Sequence, residues 1–490
     1  GAFQQKEQRM GFFQTILVVL VFLPLLMVAS HNFLQNFTAA VPRHWCYIPA
    51  GDNDTTEVTG DLLKIYIPMD GNQEPDRCLR FSTPQWQLLA PNGTSTNATE
   101  PCLDGWAYDR SVFNSTIITE WHLVCGQRAL KDFAQSIYMA GVLVGALVYG
   151  GLADRLGRRA LLLWSLLQMG VMGTGAAFAP NLAAYCAFRF FNGMGTSGSV
   201  LNGSSLSEWG RAWGWGAGMR GLSVRLGVED LGDWGRHHAL LSLSLSPGPT
   251  PPTPRWIPES VHWLLVNHRP EMALRNLRRV ARINGEKLEG EGISLEVRES
   301  SRPSQSPLTP VLPAPYGSFS NSFSFYHLAL DLQRFRGINI YLVQLIFGAV
   351  DIPFRMLVAV VVNRLGRRLT QSACLVLGGL FILASIPVPH GETRAFGQVG
   401  IAFPAALGLL NSLWLPLVPR QTGLGVTNMV ARLGAVAAPM IQMTQAFVSF
   451  LPLLLFGAVP ITAGILVNCL PETLGVPLAN TMKQVEDRWV

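Results

Sequence analysis

Long, nearly charge-free apolar runs alternate along the chain with short polar stretches rich in arginine, glycine and proline. Ten such runs stand out, near residues 12–30, 133–152, 160–178, 182–206, 318–333, 338–362, 370–389, 397–419, 424–446 and 450–470. About 20 mostly apolar residues are enough for one helical crossing of a bilayer. A helix also satisfies its own backbone hydrogen bonds, which hydrocarbon cannot do for it. The run at 318–333 is short for a crossing. The first run is longer than the roughly 7–15 apolar residues of a secretory signal. It also lacks a small-x-small cleavage site, so a retained helix is expected. The pattern predicts an all-α membrane protein.

Composition agrees. The 490 residues are 49% hydrophobic and 14% charged, against about 25% charged in soluble domains. The net charge of +6 sits in the polar connections. No basic stripe interleaved with aromatics is present, so nucleic acid is not an expected partner. The basic residues follow the positive-inside bias of membrane proteins. That bias puts Lys6 and Arg9, the arginines at 155–159, the stretch 255–282 and the arginines at 364–368 on the cytoplasmic side. An even number of crossings must then separate Glu208 from Arg255.

Cysteine usage sharpens the topology. Cys46, Cys78, Cys102 and Cys125 share one long polar loop, 31–132, whereas Cys186, Cys374 and Cys469 lie in apolar runs. Four cysteines in such a loop predict two disulfides in an oxidising compartment, with three pairings open. The same loop carries Asn-x-Ser/Thr sequons at Asn53, Asn92, Asn97 and Asn114. Together they predict an extracellular, glycosylated loop. Asn36 also begins a sequon but belongs to the end of the first helix.

Two motifs occur twice. Asp154-Arg-Leu-Gly-Arg-Arg159 returns as Asn363-Arg-Leu-Gly-Arg-Arg368, 363 − 154 = 209 residues later. Pro258-Glu-Ser260 returns as Pro471-Glu-Thr473, 471 − 258 = 213 residues later. Near-equal offsets imply a duplicated chain. Parallel repeats are the architecture of major facilitator transporters, where substrate sits near the midplane between rocking halves. Gly150, Gly151 and Gly157 are expected to let helix ends approach. Asp154 with Arg155, Arg158 and Arg159 is expected to cap helices and pair across a cytoplasmic gate. The second copy, with Arg364, Gly366, Arg367 and Arg368, has Asn363 in place of the acid and should gate more weakly.

These residues resemble a known family. Gly150-Gly-Leu-Ala-Asp-Arg-Leu-Gly-Arg-Arg159 is similar to the major facilitator signature between helices two and three. The stretches 30–42, 99–106, 342–353, 281–285 and 470–475 resemble the organic anion transporters of solute carrier family 22. The closest likeness is to members that exchange organic anions for dicarboxylate. The resemblance implies a major facilitator fold of two six-helix repeats and antiport of an outside organic anion for an inside dicarboxylate such as 2-oxoglutarate. It also implies a basolateral plasma-membrane location in an epithelium such as kidney tubule, and no cofactor beyond a stimulating chloride.

Two arginines stand out for binding an anion. Arg432 lies within 424–446 and Arg355 within 338–362. An arginine at bilayer depth costs about 3 kcal/mol on insertion scales, so it must face a cavity or a partner. For Arg355, Asp351 one turn away is an alternative partner, and snorkelling is another. By resemblance, Arg432 matches the helix-eleven arginine of anion-handling members, and Arg355 matches a basic residue on helix eight that is usually lysine. Phe325 and Tyr326 match an aromatic pair on helix seven. Met27, Asn32 and Asn36 match cavity positions on helix one. Asn428, one turn before Arg432, stands where relatives carry a small hydroxyl residue.

Other signals are discounted. Gly193-x-Gly195-x-x-Gly198 follows no strand and lies in an apolar run, so close helix packing explains it better than a dinucleotide site. No phosphate-binding loop motif is present, no paired metal-ligand spacing, and no serine with a partnered base, so no enzyme is expected. The family pattern stops between Trp209 and Arg255, where Gly-Trp repeats and a Pro-rich run replace two expected helices. The expected organisation is an N-terminal half, 1–206, a linker-like segment, 207–255, a cytoplasmic loop, 256–317, and a C-terminal half, 318–490. About ten helices are recognisable, with helices five and six degraded or missing. A transport-incompetent variant or gene-model artefact is therefore an alternative expectation. A cation or zwitterion carrier of the same family is another, opposed by Arg432.

Overall fold

The structure is a computed structural model. It describes residues 31, 34–48, 60–69, 74–89, 98–111, 113, 115–207, 258–259, 263–264, 267, 269–284, 313–330, 361, 364–384, 421–448 and 450–468. The chain divides into two compact units. One comprises 37–131 with 230–239, and the other holds the rest.

The smaller unit is the cysteine-rich loop. After a single helical turn, α1 (Gln35–Thr38), come strand β1 (His44–Cys46) and helix α2 (Gly60–Tyr66). Strands β2 (Leu79–Phe81), β3 (Thr99–Pro101) and β4 (Trp106–Tyr108) and helix α3 (Ile117–Trp121) follow. β1 pairs antiparallel with β4, Trp45 opposite Ala107, and β2 with β3, Arg80 opposite Glu100. That register sets Arg80 Nε 2.8 Å from Glu100 and its Nη1 2.5 Å from Asp104. These carboxylates hold the guanidinium above its usual range. The apolar core is small: Cys46, Ile48 and Ile67, flanked by Trp45, Leu63, Tyr66 and Cys102. Two disulfides, Cys46–Cys102 and Cys78–Cys125, supply what that core lacks. Of the three pairings open to the sequence, the fold selects this one. Asn53, Asn92, Asn97 and Asn114 lie outside the described residues.

The larger unit is helical. Its elements are α4 (Ala129–Leu156), α5 (Arg158–Ala177), α6 (Leu182–Ser207) and α7 (Pro270–Ile283), then α8 (Pro313–Leu330), α9 (Arg367–Ala384), α10 (Gln421–Met443) and α11 (Leu451–Val467). Seven of the ten apolar runs thus appear as helices. The runs 12–30 and 397–419, nearly all of 338–362, and the segment 208–257 lie outside the described residues. Among the described residues two helices are long and apolar enough to cross a membrane, within Cys125–Ala153 and Arg158–Ala177.

One boundary differs from expectation. α8 begins at Pro313 rather than near 318 and runs 18 residues, about 27 Å at 1.5 Å per residue. Proline is tolerated in a first turn because the amide it lacks has no intrahelical acceptor there. The prolines at 313 and 315 therefore start the helix instead of delaying it.

Small residues set the crossings. A Cβ on Gly145 would lie 2.6 Å from Met194 Cα, and Gly141 sits against the Phe190 carbonyl, so α4 and α6 touch backbone to backbone. Gly193 abuts the Tyr138 carbonyl, and a Cβ on Gly195 would lie 2.9 Å from the Ser165 carbonyl. The glycine triplet at 193–198 is a packing stripe, as expected. α9 and α11 cross in the same way, with Ser372 donating to the Gly464 carbonyl at 2.8 Å. In a bilayer such contact replaces the hydrophobic drive that lipid does not supply.

Candidate functional site

A buried cluster joins helices from both repeats. It contains Tyr138, Met139 and Val142 of α4, Phe323 and Tyr326 of α8, Ala435 and Ala438 of α10, and Phe456 of α11. Phe325 meets Tyr326 edge-on, 5.2 Å between centroids at 70°. His327 stacks on Phe456 at 3.8 Å and pairs with Gln442 at 3.1 Å. Aromatic edges and faces of this kind suit a flat organic ring.

Two cations adjoin the cluster. Arg432, half-buried on α10, lies one turn before Ala435. Arg189 of α6 is 1% exposed, and its guanidinium carbon stands 4.1 Å from the centre of the Tyr138 ring. The Tyr138 hydroxyl lies 3.4 Å from Thr196 Oγ1. Of the sequence candidates, the fold brings Phe325, Tyr326 and Arg432 to this region. Asn36 is buried beside Gln35, whose side chain accepts from Tyr185 at 3.3 Å. Met27, Asn32 and Arg355 lie outside the described residues, as does the side chain of Asn428. Sequence reasoning missed Arg189 and Tyr138. The signal was present: Arg189 is a lone charge in the apolar run 182–206.

The repeated loop motif has a defined geometry. Gly157 and Gly366, 366 − 157 = 209 residues apart, both adopt positive φ, +92° and +90°. The duplication therefore holds at the level of one backbone angle that side chains rarely adopt. Glu259, from the other repeated motif, accepts from the Arg158 amide at 2.9 Å and from the Arg159 amide at 3.3 Å. A carboxylate here satisfies two orphan amides and faces the positive end of the α5 dipole. A Cβ on Gly157 would stand 2.7 Å from the carboxylate, so the glycine admits it. The Asn276 side chain of α7 reaches the Glu259 carbonyl at 3.4 Å.

Glu259, which the sequence reading did not place at the gate, accepts from the first amides of α5 and so caps that helix. Gly150 and Gly151 serve no close approach among the described residues, since a Cβ on either would meet open space. Arg155 and Arg364 are exposed, and Arg158, Arg159 and Arg368 half-buried. The side chains of Asp154 and Arg367 lie outside the described residues.

Comparison with known proteins gives the class. A Major Facilitator Superfamily profile matches residues 107–226. Similar folds include the xylose transporter XylE from E. coli in its inward-open conformation. That protein is 14% identical with a TM-score of 0.58, over 98% of this chain and 100% of that one. Its partially occluded inward-open form is 12% identical, also at 0.58, over 92% and 98%. The fold is that of a major facilitator, an integral membrane transporter.

Curated relatives narrow this. The chain is 44% identical to solute carrier family 22 member 6-B of Xenopus laevis, over 97% of this chain and 93% of the relative. It is 42% identical to solute carrier family 22 member 6 of Bos taurus, over 98% and 93%. It belongs to solute carrier family 22, a family of transporters and not of enzymes. The Xenopus alignment spans 526 positions, and 97% of 490 residues fills about 475 of them, so about 51 carry the relative's residues only.

Proposed function

We propose that this protein exchanges extracellular organic anions for an intracellular dicarboxylate such as 2-oxoglutarate, by alternating access across a plasma membrane. The observation that carries this reading is Arg432, a cation in a membrane helix beside a buried aromatic cluster shared by both repeats. A guanidinium presents a planar fork matched to a carboxylate, and the aromatic walls take an organic ring. Rocking of the halves exposes the cation to each side in turn. A bound anion offsets its charge during the passage, which favours exchange over empty return. In this reading the disulfide-bonded unit is extracellular and glycosylated, and the Gly157–Glu259 contact is cytoplasmic. By family likeness the protein resides basolaterally in an epithelium such as kidney tubule, and chloride stimulates it.

The test is uptake of a labelled aromatic carboxylate by cells expressing the full chain, with and without preloaded dicarboxylate. Preloading is expected to raise uptake. Arg432→Ala is expected to lower it by at least about tenfold at equal surface abundance, the effect of losing a charged hydrogen-bond partner. Unchanged uptake in that variant would remove the anion role, and uptake of organic cations instead would favour a cation carrier. Gluconate in place of chloride is expected to slow exchange. A second reading, a transport-incompetent variant, is favoured by the roughly 51 alignment positions that this chain leaves unfilled. Normal surface delivery with no uptake of any anion would establish it.

A further inference from the structure

We infer that Arg189 is a second anion-binding cation, on the opposite repeat from Arg432, and that a dianion is held between the two. This rests on the proposed anion exchange and deepens it by naming the residue that selects dicarboxylates. All three nitrogens of the Arg189 guanidinium are buried with no hydrogen-bond partner among the described residues. The face of Tyr138, its centre 4.1 Å from the guanidinium carbon, engages the plane of the group. That contact leaves the five N–H donors on the edge unused. Buried charges left in this state are rare, and they mark ligand sites in membrane helices.

The surroundings point to an anion rather than to a packing role. Gln135, one turn before Tyr138 on α4, is buried with neither amide atom partnered among the described residues, and the same holds for Ser320 Oγ and Asn321 Oδ1 on α8. Orphaned polar atoms thus occur in both repeats, on the two helices that meet at Tyr138 and Tyr326. Arg189 stacks on Tyr138, and Arg432 lies one turn before Ala435 of the same buried cluster, so the two cations flank it from opposite repeats. Their like charges oppose closure of the halves unless something negative lies between them. A monoanion neutralises one cation. A dicarboxylate neutralises both, with one carboxylate for each repeat, and so favours the closed intermediate through which exchange must pass.

The experiment compares Arg189→Gln and Arg189→Lys with the full wild-type chain in cells, scaled to surface abundance. It measures the inhibition constants of a straight-chain dicarboxylate and of an aromatic monocarboxylate against the same labelled substrate. Arg189→Gln is expected to weaken the dicarboxylate at least about tenfold and the monocarboxylate less than about threefold, with Arg189→Lys between. Equal weakening of both, or of neither, would overturn the inference while leaving anion exchange intact. Wild-type chain that takes up neither anion would overturn the proposed exchange itself. Should Arg189→Gln fail to reach the surface, thermal stabilisation of purified wild type and Arg189→Lys by dicarboxylate decides. A shift in the lysine variant equal to that of wild type would overturn the inference.

Discussion

Removing the Glu259 carboxylate should loosen the amino-terminal end of α5 by an amount the geometry fixes. Glu259 accepts from the Arg158 amide at 2.9 Å and the Arg159 amide at 3.3 Å. A helix cap of this kind is worth about 1 kcal/mol, and a negative charge at the dipole's positive end adds about 0.3–1 kcal/mol. Glu259→Ala should therefore cost about 1.3–2 kcal/mol, and Glu259→Gln, which keeps an acceptor, about 0.3–1 kcal/mol. Gly157→Ala forces a side chain into a φ of +92° with ψ 150°, worth about 1–3 kcal/mol of strain. It also drives a methyl against the carboxylate. Glu259→Ala relieves the second penalty but not the first. The double variant should thus be less destabilised than the sum of the singles, by at least about 0.5 kcal/mol. Thermal unfolding of the detergent-purified protein, followed by tryptophan fluorescence, reads wild type and all four variants. Strict additivity, or a Glu259→Ala midpoint equal to wild type, would refute the cap.

The remaining predictions concern the cysteine-rich unit. Peptide mapping without reduction should recover Cys46 linked to Cys102 and Cys78 linked to Cys125 and no other pairing. With partners 56 and 47 positions apart, each bond removes about 4 kcal/mol of unfolded-chain entropy, so Cys46→Ala with Cys102→Ala should abolish surface delivery. Burial holds His44 below its usual imidazole range, against the opposing hydrogen bond to the Pro42 carbonyl. The unfolded unit then binds the proton more readily, so this contribution is complete above about pH 6.5 and is lost as pH falls below it. His44→Gln should flatten that acid limb in proteolysis or hydrogen-exchange measurements, whereas an unchanged limb would assign it to other groups.

Much of this molecule was legible in the chain, for identifiable reasons. A bilayer permits few backbone solutions, so apolar length alone predicted helices that the structure places within a few residues. The helix α8 shows where that rule is loosest, because proline reads as a breaker in sequence yet is tolerated in a first turn. Arginine counts predicted the loops, and the offset of 209 predicted a repeat now visible in the matched φ of Gly157 and Gly366. Arg432 was legible as a charge in the wrong solvent, and Phe325 and Tyr326 through the family resemblance alone. Arg189 was overlooked although the same physics applied to it.

The sequence by itself determined the class of element, the duplication, the presence of two disulfides and the family. Those properties depend on local composition and spacing. Only the tertiary structure decided which cysteines pair, that Glu259 caps α5, and that Arg189 stacks on Tyr138. Each of these joins residues brought together by helix crossings. Such crossings are set by where two backbones can touch, at glycines such as 141 and 193, and spacing along one chain does not carry that information.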